Sequence, residues 1–341
     1  MKKINVAVIG CGTISVMHLD SAASLSQANL VAVCDIKEDR VNKTAEKYNC
    51  KAYTDYKEMF RNEKLDAVHI CLPHYLHTAV SRDAFENGIN VLCEKPMSID
   101  YDDAEKTLKL AKDKNLLYGV IFQCRYNTPA QKVKEYINSG KLGRVKSAVS
   151  ILTWSRSDDY YSLSDWKGTW DKEGGGVVID QAIHSIDLTN WLIDSEVKSV
   201  RSALYNRHHK IIDVEDTADG IIEYENGTTY SFFAMNNFGV DAPIEIKLVC
   251  ENGYVNLSYE FADITFSDGT KEHIENHNQK IVSYSGGKDY WGTQHAVQIN
   301  NFYNAVLGLE PLEITAESAL KTQRIICEIY DQSKLNVKKQ Y

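Results

Sequence analysis

Five short runs of apolar residues, many of them β-branched, alternate with helical segments in the first third of the chain. A strand that is buried on both faces of a sheet reads as such a continuous apolar run. Alternation of strands and helices at this spacing predicts a parallel, doubly wound α/β sheet. The predicted strands are Val6–Gly10, Leu30–Asp35, Asp66–Leu72, Asn90–Glu94 and Leu117–Phe122.

The pattern changes after about residue 124. From Val145 onward, Asn-Gly or Asp-Gly pairs separate candidate strands, and such pairs are typical of tight hairpin turns. We therefore predict a large open, mostly antiparallel sheet in a C-terminal α/β domain. Residues 1–124 are predicted to form a dinucleotide-binding domain and residues 125–341 a substrate-binding and oligomerisation domain, with the alternative that the final helices pack back near the first domain.

Composition excludes several classes of protein. Among the 341 residues, 38 are basic and 47 acidic, a net charge of −9 without a basic stripe, so nucleic acid is not an expected partner. No apolar run approaches the roughly 18–20 residues that span a bilayer, so no membrane segment is expected. The N-terminus lacks the features of a signal peptide, and the eight cysteines contain no CxxC pair, which favours a cytoplasmic protein.

The sequence Gly10-Cys-Gly12-Thr13-Ile14-Ser15 fits a dinucleotide-binding fingerprint with serine in its third small position. It follows a predicted strand and opens a predicted helix, and Asp35 ends the next strand 20 residues after Ser15. Gly10 allows a tight turn, and Gly12 allows a pyrophosphate to approach the helix N-terminus. The alternative is a glycine turn that binds nothing.

Asp35 bears on the choice of dinucleotide. A carboxylate accepts hydrogen bonds from ribose hydroxyls and repels a 2′-phosphate, so NAD is favoured over NADP. Lys37 and Arg40 lie close enough in sequence to leave NADP possible.

Lys95 follows Glu94 at the carboxyl end of a predicted buried strand, where ligands bind in sheets of this kind. One interpretation is a lysine that extends from a strand end to solvent. The other is a cation that stabilises an alkoxide developing on a substrate hydroxyl. After Leu72-Pro73 at the preceding strand end, His74 and His77 either line the nicotinamide pocket or cap a helix; Leu72 and His77 are predicted to contact the cofactor.

Asp180, His184 and Asp187 are spaced i, i+4 and i+7, which predicts one face of an amphipathic helix at about 179–192. His184 is suited to accept a hydroxyl proton near neutral pH, with a carboxylate orienting its ring. The alternative is a helix N-terminal aspartate and a core histidine. His208-His209 lies in a polar loop and indicates a solvated turn, so no metal site is predicted.

In order along nearly the whole chain, these motifs resemble the glucose-fructose oxidoreductase and myo-inositol dehydrogenase family, Gfo/Idh/MocA. The resemblance implies a Rossmann domain followed by an α/β domain whose open sheet forms homodimers or homotetramers. The motifs are GCGTIS, Leu72-Pro73-xxx-His77, Glu94-Lys95-Pro96, Gln123-Cys-Arg125-Tyr, the segment from Gly174-Gly-Gly to His184-Ser-Ile-Asp187, and Gln294-His295 before the final helices.

The resemblance also implies roles for individual residues. Lys95, His184 and Asp180 are implied to be catalytic and to bind substrate, with Asp180 contacting substrate hydroxyls, and Lys95 is also implied to contact the cofactor. Glu94, Gln123 and Arg125 match positions close to the nicotinamide, and Arg125 is also implied to bind substrate. Aromatic and charged residues of the insertion at 154–173 are expected to bind substrate: Trp154, Arg156 and Trp166.

We therefore predict an NAD(P)-dependent oxidoreductase acting on CH–OH donors, with NAD favoured. Hydride would move between nicotinamide and a secondary hydroxyl or ketone of a sugar, glycoside or cyclitol. Two alternatives stay open: a catalytically silent NAD-binding sugar sensor, and a closed-cycle sugar oxidoreductase that retains its cofactor.

Overall fold

The computed structural model describes residues 3–277, 281–286, 294–333 and 338–339. These residues form fifteen strands and ten α-helices. The strands are β1 (Ile4–Ile9), β2 (Ala28–Cys34), β3 (Lys51–Tyr53), β4 (Ala67–Ile70), β5 (Asn90–Cys93), β6 (Tyr118–Val120), β7 (Val145–Thr153), β8 (Val197–Asn206), β9 (Thr217–Tyr224), β10 (Thr229–Met235), β11 (Glu245–Cys250), β12 (Gly253–Leu257), β13 (Phe261–Phe266), β14 (Lys271–Glu275) and β15 (Lys338–Lys339). The helices are α1 (Ser15–Ser24), α2 (Glu38–Tyr48), α3 (Tyr56–Asn62), α4 (His77–Glu86), α5 (Tyr101–Asp113), α6 (Thr128–Asn138), α7 (Asp158–Ser162), α8 (Ile183–Ile193), α9 (His295–Val306) and α10 (Ala316–Ser333).

The chain divides into two compact units. Unit 1 comprises residues up to 123 together with 279–320, and unit 2 comprises 124–278 and 321–341. One boundary therefore falls between residues 123 and 124, and another falls within α10. The helix α9, near the C-terminus in sequence, belongs to unit 1.

Unit 1 contains a six-stranded sheet with the order β3-β2-β1-β4-β5-β6, and every neighbouring pair is parallel. This is the doubly wound arrangement of a Rossmann fold, as predicted. Helices α1 and α9 pack together over one face of the sheet. Their side chains bury an apolar layer that includes Val6, Ala67, Leu92 and Phe302.

Unit 2 contains a nine-stranded sheet with the order β14-β13-β12-β11-β7-β10-β9-β8-β15. The pairs β7–β10 and β8–β15 are parallel and the other neighbours are antiparallel, so the predicted open, mostly antiparallel sheet is confirmed. The predicted hairpin turns lie where expected. Gly227 and Gly269 adopt positive φ angles of 83° and 89° in two of them, which glycine tolerates without strain.

The helix predicted at about 179–192 differs from expectation. Residues Val178–Ala182 form a π-helical turn, and the α-helix α8 begins only at Ile183. Almost every residue of α8 is buried, so this helix is not amphipathic. The π-helical turn also breaks the regular 3.6-residue spacing on which the shared face of Asp180, His184 and Asp187 was predicted.

None of the helices in the described parts of the chain has the length and apolar character that a bilayer crossing requires.

Candidate functional site

The turn after β1 has the geometry of a nucleotide cradle. Gly10 has a φ of +93°, and a Cβ at this position would collide with the backbone carbonyl of Cys71, so only glycine fits. At Gly12, by contrast, no atom outside Gly12 and its two chain neighbours lies within 4 Å of the point that a Cβ would occupy, which leaves open space beside the N-terminus of α1. Ser15 is buried, and its hydroxyl donates to the Gly12 carbonyl at 2.6 Å. The small third residue is therefore part of the turn.

Thr13 and Ile14 lie between these residues and are exposed. They stand immediately before α1, where the unpaired amides of a helix N-terminus attract an anion.

Asp35 follows β2 and is buried. Its carboxylate accepts hydrogen bonds from the backbone N–H of Cys11 at 2.8 Å, the N–H of Lys37 at 2.9 Å and the guanidinium of Arg40 at 2.8 Å. Burial acts to raise the pKa of Asp35, but the hydrogen bonds from Arg40 and the two amides outweigh it and lower the pKa. Asp35 is therefore held as a carboxylate at the end of β2.

The carboxyl ends of β4 and β5 carry the next group of predicted site residues. Lys95 is half-buried, and Glu94 beside it is buried. His77, the first residue of α4, is fully buried, with its ring nitrogens 2.7 Å from the Pro96 carbonyl oxygen and 2.8 Å from that of Leu72. The ring of His77 therefore contacts the backbone segments that follow both β4 and β5.

In unit 2, Asp180 lies on the π-helical turn and one of its oxygens, Oδ2, receives three donors. The Lys167 ammonium is 3.0 Å away, and the Tyr160 hydroxyl and the Gln181 side-chain amide also donate to it. Burial lowers the pKa of Lys167, but attraction to Asp180, Tyr160 and Glu173 outweighs it and holds the pKa well above its usual value. The result is a fixed charge pair, Asp180 with Lys167, joined by a phenol.

The Gly174-Gly-Gly segment before the π-helical turn is explained by Glu215. This fully buried carboxylate accepts hydrogen bonds from the Gly176 N–H at 2.9 Å, the Val178 N–H at 3.0 Å and the Tyr330 hydroxyl at 2.8 Å. A Cβ on Gly175 would collide with the Tyr330 ring, and one on Gly176 with the Glu215 carbonyl. Glycines are required because backbone and side chains approach here too closely for any Cβ.

Glu215 gives a pH-dependent prediction. Burial raises the pKa of its carboxyl to about 7, whereas in an unfolded chain it returns to about 4.3. Between these values the folded protein holds a proton that the unfolded chain has released, so the stability from this group is full below about pH 4 and is lost as pH rises through 7. As pH rises, the free energy of unfolding of Glu215→Gln is expected to fall by up to about 3 kcal/mol less than that of the parent, because the amide does not titrate.

The measurement is the free energy of unfolding in urea at pH 5 and pH 8 for the parent and for Glu215→Gln. The exposed Glu225→Gln serves as the matched control. Glu173, whose pKa burial also raises, is present in all three proteins; because the Glu215 charge raises the pKa of Glu173 further, Glu215→Gln weakens the pH dependence from Glu173 in the same direction. Parallel pH curves for the parent and Glu215→Gln would contradict the prediction.

Other predicted site residues of unit 2 have structural partners. Arg125 is buried and forms a bidentate ion pair with Asp187, with Nε 2.8 Å from Oδ2, and the Thr322 hydroxyl donates to Asp187 at 2.7 Å. His184 lies in the first turn of α8 and is 7% exposed. Asp180 and Asp187 therefore have different hydrogen-bond partners: Asp180 contacts Lys167 and Tyr160, and Asp187 contacts Arg125 and Thr322.

In the insertion, Trp154 and Arg156 are both buried and pack on each other, with the guanidinium 5.0 Å from the indole centre. Arg156 also pairs with Asp241 at 3.0 Å. Trp166 is half-buried, with the Lys167 ammonium 4.6 Å from its ring centre. Trp166 is therefore connected through Lys167 to Asp180. In unit 1, Gln123 is buried and begins a 3₁₀ turn.

Two family models match the chain in order. The GFO_IDH_MocA model, an oxidoreductase family with an NAD-binding Rossmann fold, matches residues 4–122, and the GFO/IDH/MocA C-terminal domain model matches residues 130–256. The chain belongs to the Gfo/Idh/MocA oxidoreductase family. The resemblance seen in the motifs is thereby confirmed, and so is the prediction of NAD as the cofactor.

Several characterised proteins are similar to this Gfo/Idh/MocA member. D-glucoside 3-dehydrogenase of Escherichia coli K12 is 25% identical, over 97% of this chain and 95% of the relative. Myo-inositol 2-dehydrogenase of Thermotoga maritima is 27% identical over 66% of each chain, slightly less than two thirds of its length. The WlbA dehydrogenase of Chromobacterium violaceum, solved with NADH and UDP-GlcNAcA, has a TM-score of 0.85 and 25% identity, over 99% of this chain and 95% of that one.

The residues of this Gfo/Idh/MocA protein fit NAD. The open space beside Gly12 leaves room for a pyrophosphate at the N-terminus of α1, and Asp35 is a buried carboxylate at the end of β2, where a ribose is expected. When bound, NAD supplies a nicotinamide ring that accepts or returns a hydride.

Sequence reasoning missed the residues that surround Asp180 and the glycine segment: Tyr160, Lys167, Gln181, Glu215 and Tyr330. Lys167, which follows Trp166 in an insertion that carries several acidic residues, was a signal for a charge partner. No such signal pointed to Glu215 or Tyr330, because they meet across 115 residues of sequence.

Asp35→Ala is expected to weaken NAD binding by about tenfold, because a charged acceptor for ribose hydroxyls is lost. It is also expected to strengthen NADP binding, because repulsion of the 2′-phosphate ends and Arg40 loses the carboxylate that now holds it. Titration calorimetry with both dinucleotides provides the measurement. In the double variant Asp35→Ala/Arg40→Ala the part of the NADP gain that comes from Arg40 should disappear, which leaves only the smaller gain from lost repulsion; a gain as large as that of Asp35→Ala alone would refute the role of Arg40.

Proposed function

We propose that this protein is an NAD(H)-dependent dehydrogenase that transfers a hydride between nicotinamide and a secondary hydroxyl or ketone of a sugar, glycoside or cyclitol. The observation that carries the proposal is the charge pair around Asp180. A carboxylate with a fixed orientation, flanked by an ammonium and a phenol hydroxyl, supplies the alternating acceptors and donors that neighbouring hydroxyls of a polyol require.

The cofactor is held by unit 1 in this proposal. Backbone amides at Thr13 and Ile14 face the pyrophosphate beside Gly12, and Asp35 accepts from the ribose hydroxyls. Unit 1 also contributes the carboxyl ends of β4 and β5, with Leu72 and Glu94 beside the nicotinamide half. Gln123 and Arg125 are proposed to act near the nicotinamide through the turn that they share.

The proton and the hydride leave the substrate separately. His184 accepts the hydroxyl proton as the C–O bond gains double-bond character, and the Lys95 ammonium stabilises the oxygen while negative charge develops on it. Asp180 orients the reacting sugar through its hydroxyls. Since Lys167 and Tyr160 contact the same carboxylate oxygen, we assign them to the orientation of Asp180.

The insertion supports a ring-shaped polyol as substrate. Trp166, half-buried above the Lys167 ammonium, offers an aromatic face of the kind that packs on the apolar face of a sugar ring. Trp154 and Arg156 fix the start of the insertion through their mutual packing and the Arg156–Asp241 pair. The names of the relatives, a glucoside 3-dehydrogenase and an inositol 2-dehydrogenase, fall within this substrate class.

We further propose that the open sheet forms a homodimer or homotetramer. Apolar side chains that are more than one third exposed lie on four of its strands: Val149, Ile221, Val249 and Tyr254. The strand register places Ile221 and Val149 in one row, and Val249 beside Tyr254 in the next, on one face of the sheet. Sedimentation velocity on the parent and on Val149→Asp tests this; a monomeric parent would overturn it.

The proposed activity is tested by following reduced nicotinamide absorbance with NAD and with NADP across inositols, free aldoses, glycosides and sugar acids. A rate with NAD and one group of substrates is the expected result. Silence across the panel, with NAD still binding by calorimetry, would contradict a dehydrogenase and favour a sugar sensor. Nicotinamide retained after purification, with hydride passed between two sugars, would favour the closed-cycle oxidoreductase.

A further inference from the structure

A line of four buried polar side chains runs through unit 1 and ends at Glu94. The Tyr303 hydroxyl, on α9, is 3.0 Å from His69 Nε2, on β4. His69 Nδ1 is 2.9 Å from His18 Nδ1, on α1, and His18 Nε2 is 2.9 Å from Glu94 Oε1. His18, His69 and Tyr303 are fully buried and Glu94 is 5% exposed, so solvent does not supply the hydrogen bonds of this chain.

All hydrogen bonds among these four side chains are satisfied when each residue donates to the next one in the direction from Tyr303 to Glu94. Tyr303 donates its hydroxyl hydrogen to His69, His69 donates from Nδ1 to His18, and His18 donates from Nε2 to the Glu94 carboxylate. Each imidazole then donates one hydrogen bond and accepts one in its neutral form. Burial, and then the nearby His18, lower the pKa of His69 well below its usual value, which agrees with a neutral ring.

These four hydrogen-bonded side chains interrupt an otherwise apolar layer of unit 1. The same face of the sheet is covered by Val6, Ala67, Leu92 and Phe302, and an apolar side chain in place of His69 would avoid the cost of burying polar atoms. Buried polar networks of this kind specify a single arrangement of the groups that they connect. Here the group whose arrangement they specify is Glu94, at the end of the series that follows β5.

Glu94 lies at the edge of the sheet where ligands bind. It follows β5, and ligands of doubly wound sheets bind beyond the carboxyl ends of the strands. The glycine turn and Asp35 follow β1 and β2, which assigns the adenosine half of a dinucleotide to that side and leaves the nicotinamide half to β4 and β5. Glu94 Oε2 also accepts from the backbone N–H of Lys95 at 3.2 Å, so the orientation of Glu94 and the start of the Lys95 segment are linked.

We propose that His18, His69 and Tyr303 are positioning residues that hold Glu94 as an oriented carboxylate for the amide group of nicotinamide. His295, whose Nε2 is 3.7 Å from the same Glu94 oxygen, supports that oxygen from α9. This proposal rests on the proposed function, because it takes NAD to be the cofactor. It concerns only the nicotinamide end of NAD and leaves the adenosine and pyrophosphate contacts to Asp35 and the glycine turn.

The test compares the binding of NAD with that of ADP-ribose, which lacks nicotinamide, by titration calorimetry on the full chain. His18→Leu removes the donor to Glu94, and His18→Gln retains a side-chain N–H at a similar distance. Tyr303→Phe removes only the hydroxyl at the end of the hydrogen-bonded series that lies farthest from Glu94. Tyr118→Phe is the matched control, since Tyr118 is another buried tyrosine of unit 1 and its hydroxyl is not part of this hydrogen-bonded series.

We expect His18→Leu to weaken NAD binding by about tenfold while ADP-ribose binding stays within about twofold of the parent. His18→Gln should restore most of the NAD affinity, Tyr303→Phe should show a smaller loss specific to NAD, and Tyr118→Phe should show none. A similar loss for NAD and ADP-ribose, or no loss for either in both His18→Leu and Tyr303→Phe, overturns the proposal. If His18→Leu fails to fold, Tyr303→Phe decides.

The outcomes separate this proposal from the proposed function. Failure of the parent to bind NAD, or to reduce it with any polyol, is a failure of the proposed function. A parent that binds NAD and turns over, together with a His18→Leu variant that binds NAD as the parent does, overturns the positioning role alone.

Discussion

Lys95→Ala is expected to reduce kcat by about a thousandfold, within the range that a group stabilising a developing alkoxide supplies. Lys95 is half-buried and follows Glu94 at the carboxyl end of the buried strand β5. The end of this strand fixes the position of the Lys95 backbone. Binding of NAD should be retained, because the cradle at Gly12 and the carboxylate of Asp35 are untouched. Steady-state kinetics with the best substrate of the panel and calorimetry with NAD provide the two measurements.

The matched controls are Lys95→Arg and Lys198→Ala. Arginine retains the positive charge but has a planar group of different reach, so Lys95→Arg should recover only part of the lost rate. Lys198 is exposed on β8, and its replacement should leave kcat unchanged. Normal turnover by Lys95→Ala would refute the assigned role, and loss of NAD binding would show instead that Lys95 holds the cofactor.

The fold of unit 1 could be predicted because its strands are buried on both faces. Each predicted run corresponds to an observed strand, and the glycine turn and Asp35 lie at the ends of β1 and β2. The strand that the sequence did not reveal is β3, three residues at the edge of the sheet with exposed or half-exposed side chains. β3 lacks a continuous apolar pattern because its side chains are not buried on either face, whereas those of β6, at the opposite edge of the sheet, are all buried and give an apolar run.

Site residues could be predicted from the sequence where one motif contains them. They could not be predicted where their role depends on partners that are distant in sequence. Asp180 and His184 stand out in the sequence, but the π-helical turn between them changes the spacing that was used to place them on one face. Periodicity assumes a regular helix, and Glu215, 35 residues beyond Asp180, holds the amides that form this turn. The partners of Asp180 and of Arg125 likewise follow from tertiary packing and not from local pattern.

His184→Ala is expected to lower kcat by about a hundredfold to ten-thousandfold, the range for loss of a general base. The physical reason is that the substrate hydroxyl must lose its proton as the hydride leaves, and a histidine accepts protons near neutral pH. His184 is 7% exposed in the first turn of α8, so truncation leaves a cavity beside the substrate, and added imidazole should restore part of the rate.

The measurement is the pH dependence of kcat/KM together with imidazole rescue. In the parent, kcat/KM should rise with pH as the base loses its proton, and in His184→Ala this rise should vanish. His208→Ala, at an exposed histidine of the same unit, is the matched control and should keep the parent profile. An unchanged rise in His184→Ala would assign the base to another group, and the Tyr160–Lys167 pair beside Asp180 would be the next to replace because its phenol already shares hydrogen bonds with that carboxylate.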